Sequence, residues 1–143
     1  MSRPFDLIIF GATGFTGKYA VRSMVQMLLD QTEHGIKFAI AGRSLDKLRN
    51  VLQELQPEFA GQFDFVNQVS IRQADVGDYF SLRQMTSQCR VLVNMVGPYA
   101  LFGESVVKAA IETGTHYVDV SGTHCTMYTF IKRGKLKSQV PNM

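Results

Sequence analysis

Five short runs rich in apolar and β-branched residues, separated by stretches with helical spacing, constrain this chain more than any other feature. They are FDLIIF (5–10), KFAIAG (37–42), VSIRQADV (69–76), RVLVNMVG (90–97) and HYVDVSG (116–122). Runs of this length and character suit strands buried on both faces. Between them, apolar residues recur at helical spacing from Phe15 to about Gln31, from Ser44 to Leu55, from Asp78 to about Gln88 and over GESVVKAAIETG (103–114). Strands joined through helices run parallel, with right-handed crossovers. The pattern predicts an α/β fold, a doubly wound parallel sheet with about five strands present.

The local signals agree. Ser44 and Asp78 are good N-caps, Gly114 closes a helix, and Glu104 reads as an acid favoured by the macrodipole at a helix start. Residues 57–67, opening on Pro57, read as a loop. After Gly122 neither period persists. The chain therefore divides into a strand–helix domain over 1–122 and a basic tail over 123–143 that reads as irregular or divergent.

With 45% hydrophobic and 19% charged residues, the composition is that of a soluble globular domain. No apolar run reaches the roughly 20 residues that span a bilayer, and MSRPFDLIIF lacks the pattern of a signal peptide. Cys89 and Cys125 form no CxxC and no disulfide framework, which points to a reducing, cytoplasmic setting. The formal charge of +3 belongs to the tail. Lys132, Arg133, Lys135 and Lys137 account for four of the 15 basic residues, and the other eleven face all 12 acids. The tail reads as a solvated terminus, with contact to phosphates or a membrane surface as the alternative. Nothing here suggests a nucleic-acid partner.

The first strand ends in FGATGFTG. Gly11 allows a tight turn, Gly14 leaves room for a diphosphate to approach the backbone, and Gly17 lets the helix pack closely on the strand. The helix that follows brings its amides and positive dipole end to the same point. The spacing is GxxGxxG rather than GxGxxG, and a glycine triplet alone also suits a plain turn. Its place between first strand and helix favours a dinucleotide, held by Gly11, Ala12, Thr13, Gly14, Phe15, Thr16 and Gly17.

At the end of the second strand, an NAD site places an acid for the ribose 2′-OH. Here Gly42-Arg43-Ser44 stands instead, and a guanidinium beside a hydroxyl suits a 2′-phosphate. NADP is the expected cofactor, with NAD as the alternative. Asp75 and Val76, read as ending the third strand, either meet the adenine or, for Asp75, cap the next helix. Asn94, Val96, Gly97, Pro98 and Tyr99 close the fourth strand, where Gly97-Pro98 imposes a turn expected under the ribose and nicotinamide. Tyr99 reads as packing, with a catalytic acid as the alternative. Asp119 either faces the pocket or anchors a loop. His34, His116 and His124 are scattered, His124-Cys125 falls short of a metal site, and no catalytic residue is assigned.

FGATGFTG, AGRS, NMVGPYALFGE and YVDVSG, in this order, resemble the N-terminal nucleotide-binding domain of the saccharopine dehydrogenase family, over about residues 4–122. The nearest resemblance is to the saccharopine dehydrogenase-like oxidoreductases of animals. It implies a Rossmann fold and an NAD(P)-linked oxidoreductase, with the family's glycines on Gly11, Gly14 and Gly17, its GRS on Gly42–Ser44 and its GPY/F turn on Gly97–Tyr99. It also implies a link to lipid droplets or membranes, by peripheral association. The family's glutamate after YVDVSG is Thr123 here, and its sixth strand and substrate domain have no counterpart, so the chain reads as truncated. The expected function is NADP(H) binding as the domain of an oxidoreductase passing hydride to an imine or carbonyl near Asn94–Tyr99. A non-catalytic nucleotide-binding or sensing module and an inactive truncated product are the alternatives. The expected partner is the dinucleotide, with substrate unspecified and a homodimer open.

Overall fold

The computed structural model describes residues 2–30 and 35–121. Phe5–Phe10 forms β1, Phe15–Leu29 α1, Phe38–Gly42 β2, Leu45–Leu55 α2, Phe65–Gln68 the one-turn α3, and Val69–Gln73 β3. Tyr79–Ser87 forms α4, Cys89–Asn94 β4, Tyr99–Thr113 α5 and His116–Asp119 β5. The five strands make one sheet in the order β3-β2-β1-β4-β5, every pair parallel. Ile9 of β1 is flanked by Ile40 and Val93, which places the most apolar stretch at mid-sheet.

The sheet separates two cores. On one face Ile9 and Ile40 of the sheet pack with Val21 and Val25 of α1 and Leu48 and Leu52 of α2. On the other Ile8, Phe10 and Leu92 of the sheet pack with Leu82 and Met85 of α4 and Val106 of α5. Because successive side chains of a strand face opposite ways, neighbours such as Ile8 and Ile9 serve different cores. That explains why β1 is apolar from Leu7 to Phe10.

Three expectations are corrected. Residues 57–67 are not simply a loop: Gln56–Phe59 is a 3-10 turn and α3 follows, because Phe59, Phe63 and Phe65 bury together. The helix expected over 103–114 starts at Tyr99, with Pro98 as its N-cap, so Glu104 lies in its second turn rather than at its start. β3 ends at Gln73 and β4 at Asn94, so Asp75, Val76, Val96 and Gly97 lie in the loops beyond. The tail over 123–143, with His124 and Cys125, and also His34, lie outside the described residues.

Arg3 ties the base of the second core together. Its guanidinium donates to the carbonyls of Thr86, Cys89 and Thr113 and to the Thr115 hydroxyl. Three elements, α4, β4 and α5, are thereby joined through one side chain.

Candidate functional site

Gly11 turns the chain out of β1 with φ +82°, a conformation that favours glycine. Its N–H donates to the Ala41 carbonyl at 2.9 Å, and Met95 N–H donates to the Phe10 carbonyl at 2.8 Å. The loop thus rises between the ends of β2 and β4. A Cβ on Gly11 would meet Val96 Cγ2 at 2.7 Å and Val96 N at 2.9 Å, so the turn and the β4 loop touch. A Cβ on Gly17 would reach the Gly11 carbonyl oxygen at 2.0 Å.

Gly14 is different. It has φ −74°, open to any residue, and an added Cβ would meet only the Gly11 oxygen at 3.5 Å, an ordinary contact. The fold requires glycine at 11 and 17, and makes no such demand at 14. Gly14 is exposed and caps α1 without a side-chain hydrogen bond. The first amides of a helix lack intrahelical partners and carry its positive dipole end. With glycine at 14, no side chain at the cap covers these amides. Around it Ala12 is buried, Thr13 half-buried and Thr16 exposed, while Phe15 is exposed and meets Tyr19 edge-on at 5.2 Å.

The β2–α2 turn is anchored through its backbone. The Gly42 carbonyl accepts from Ala74 N–H at 3.0 Å, the Arg43 carbonyl from Gln73 Nε2 at 2.9 Å, and the Ser44 carbonyl from Leu48 N–H at 3.1 Å. Ser44 Oγ accepts from Lys47 N–H at 3.3 Å, as expected of a cap. The Arg43 guanidinium is exposed and makes no hydrogen bond or ion pair among the described residues. The nearest acid in sequence, Asp46, pairs with Arg49 at 2.9 Å.

Asp75 Oδ1 accepts from Gly77 N–H at 2.8 Å and shapes the loop after β3. Capping of α4 falls to Asp78, whose Oδ1 accepts from Ser81 N–H, so the capping alternative for Asp75 is set aside. Val76 packs against the second core.

At the end of β4, fully buried Asn94 organises a polar chain. Its Oδ1 accepts from Val96 N–H at 3.0 Å and its Nδ2 donates to the Tyr117 hydroxyl at 3.0 Å. Tyr117 in turn donates to Asp119 Oδ2 at 2.8 Å, and Asp119 Oδ1 accepts from the Ser121 amide and hydroxyl. Asp119 therefore anchors the end of β5. Tyr99 donates to the Asn94 carbonyl at 3.1 Å. Burial raises the pKa of Tyr99, and of Tyr117 more strongly, so both hydroxyls stay protonated and act as donors in this chain. The geometry favours packing for Tyr99. Gly97 and Pro98 are exposed beside it.

The structure therefore brings the glycine loop, the Arg43 turn, the Asp75 loop and the Val96–Tyr99 segment to the same, C-terminal, margin of the sheet. Tyr117 and Gln73 were not singled out from sequence. Their only trace is strand register: Tyr117 is two residues before Asp119, which pairs with Asn94, and Gln73 pairs with Gly42. Among the described residues no group of three or more His, Cys, Asp or Glu side chains is placed to hold a metal.

A parallel sheet whose winding reverses between β1 and β4, with a glycine-lined turn at the reversal, defines a doubly wound nucleotide-binding domain. A sequence profile described as the saccharopine dehydrogenase NADP binding domain matches residues 7–139, and the chain belongs to that family. The match runs past residue 122, where the resemblance read from the motifs stops.

Among curated relatives, a lipid droplet localized protein of Caenorhabditis elegans is 45% identical over 122 residues, which are 85% of this chain and 27% of that protein. A saccharopine dehydrogenase-like oxidoreductase of Bos taurus is 40% identical over 122 residues, covering 84% of this chain and 28% of the relative. The chain thus spans little more than a quarter of the relatives it matches. Apo saccharopine dehydrogenase (L-Glu forming) from Saccharomyces cerevisiae superposes with a TM-score of 0.61 at 20% identity, over 88% of this chain and 24% of that one. A short-chain dehydrogenase/reductase from Veillonella parvula in complex with NADP gives 0.56 at 16% identity, over 87% and 54%. Both likenesses are of fold.

Proposed function

We propose that this chain binds NADP(H) across the C-terminal margin of its sheet, as the cofactor-holding domain of an oxidoreductase. The observation that carries this reading is Gly14, a glycine the fold does not need at the point where a diphosphate would meet the start of α1. Gly11 to Gly17 would surround the diphosphate, Arg43 and Ser44 the 2′-phosphate, Asp75 and Val76 the adenine, and Val96 to Tyr99 the ribose and nicotinamide. Arg43, which makes no hydrogen bond or ion pair among the described residues, supports NADP over NAD. When bound, the nicotinamide supplies a hydride, and this chain's residues hold and orient it.

The oxidoreductase names of the relatives support a redox role for a protein built on this domain, with hydride passing to an imine or carbonyl. The name of the Caenorhabditis elegans relative supports peripheral association with lipid droplets. No helix among the described residues is long and apolar enough to cross a membrane. Titration of the chain with NADPH, followed by the fluorescence of the bound nicotinamide, tests the central reading. Saturable enhancement is expected, and a flat titration of a folded sample overturns it.

A further inference from the structure

The Arg43 side chain is only as well aimed as the backbone that carries it. Gly42 and Ser44 are held by main-chain partners, Ala74 N–H and Leu48 N–H. The Arg43 carbonyl between them is held by a side chain, Gln73 Nε2 at 2.9 Å, from the last residue of β3. Gln73 stands opposite Gly42 in the β2–β3 ladder, so its amide reaches one residue beyond the end of regular pairing. Gln73 is exposed and contributes to neither core, so burial does not account for it.

We infer that Gln73 is a positioning residue for cofactor selectivity: by fixing the Arg43 carbonyl it holds the guanidinium where a nucleotide 2′-phosphate arrives. The inference rests on the NADP reading proposed above and adds a residue that touches no part of the ligand itself. The group recognised is a phosphate monoester on the ribose. The planar fork of arginine is sensitive to aim, because its paired donors must meet the phosphate oxygens together.

Gln73→Met keeps length and removes the donor. Gln73→Leu also removes the donor without adding a charge, and is a second probe should the first variant fail to fold. Loss of one positioning hydrogen bond corresponds to about 3- to 10-fold. For Gln73→Met, the NADPH dissociation constant should rise by about that factor while that of NADH stays within about twofold. In an Arg43→Ala background the same change at 73 should do nothing more, because Gln73 acts through Arg43.

A merely structural glutamine would weaken both cofactors equally or neither, and either result overturns the inference. An effect that persists without Arg43 overturns it too, since Gln73 would then meet the ligand directly. If the parent chain binds both cofactors equally, the NADP reading falls and this inference with it. If the parent prefers NADPH and Gln73→Met keeps that preference intact, only the inference falls.

Discussion

A Cβ on Gly17 would lie 2.0 Å from the carbonyl oxygen of Gly11 and 2.8 Å from Ala12 Cα. The helix therefore rests directly on the turn from which it starts, and backbone meets backbone with no room for a side chain. Position 17 belongs to the fold, whereas a Cβ at position 14 in the same loop would make only an ordinary contact, 3.5 Å from the Gly11 oxygen.

Substitution separates the two glycines. Gly17→Val should cost about 3 kcal/mol or more through overpacking against rigid backbone, seen as a large fall in the thermal midpoint. Gly14→Val should keep the midpoint and circular dichroism of the parent, because its backbone already suits valine, yet lose NADPH binding by fluorescence titration. Retained binding in Gly14→Val would reduce the loop to a turn.

Arg43→Ala should weaken NADPH about tenfold or more and leave NADH nearly unchanged, since only NADPH carries the 2′-phosphate. The difference should shrink at high salt as the ion pair is screened. Arg43→Glu should shift preference towards NADH by repelling the phosphate and offering the ribose hydroxyl an acceptor. Equal losses for both cofactors would place Arg43 in support of the fold.

Arg3→Met should destabilise the chain by about 2–3 kcal/mol, because the carbonyls of Thr86, Cys89 and Thr113 lose a charged donor together. Urea unfolding would read the change. Cofactor affinity, measured on the folded fraction, should stay the same, because Arg3 lies at the opposite end of the sheet from the glycine loop.

Burial pushes the Cys89 thiol up from 9.0 to about 11, with the Arg3 guanidinium pulling it partly back. A thiol with a raised folded-state pKa loses its proton first in the unfolded chain. Its contribution to stability is therefore constant below about pH 9 and declines as pH rises through 11. Stability of Cys89→Ala should fall less over that window than that of the parent. The parent's Cys89 should also resist thiol reagents at pH 8 until denaturant is added.

Much of this was legible in the sequence, for identifiable reasons. β1, β2 and α2 carry their own signals: runs of apolar residues, a serine cap and one apolar helix face, and each stands within a residue of its expected bounds. Asp78 and Gly114 marked helix ends because capping is chemistry between near neighbours. The start of α5 was hidden because Pro98 breaks a helix inside it but is tolerated at its N-cap. The helical turns over 56–68 carried only weak local signals, Pro57 at the start of the 3-10 turn and the Asp64 cap of α3, on segments of four residues each, too short to show an apolar period. Arg3 contacts residues 83 to 112 positions away, and Gln73 meets Arg43 across 30. No local pattern could announce either. The tight turn at Gly11 and the Ser44 cap were readable because each is made by near neighbours in sequence.

β1 lies at the centre of the sheet, bonded to β2 on one side and β4 on the other, while β3 lies at one edge. Strands open from the margins before the middle when a domain is stressed. Heat, denaturant or a damaging substitution would thus release Gln73 and its hold on Arg43 while the glycine loop still stands on an intact strand. On the reading proposed above, a failing copy of this domain would lose its discrimination between cofactors first and its grip on them later, becoming promiscuous before it became inert.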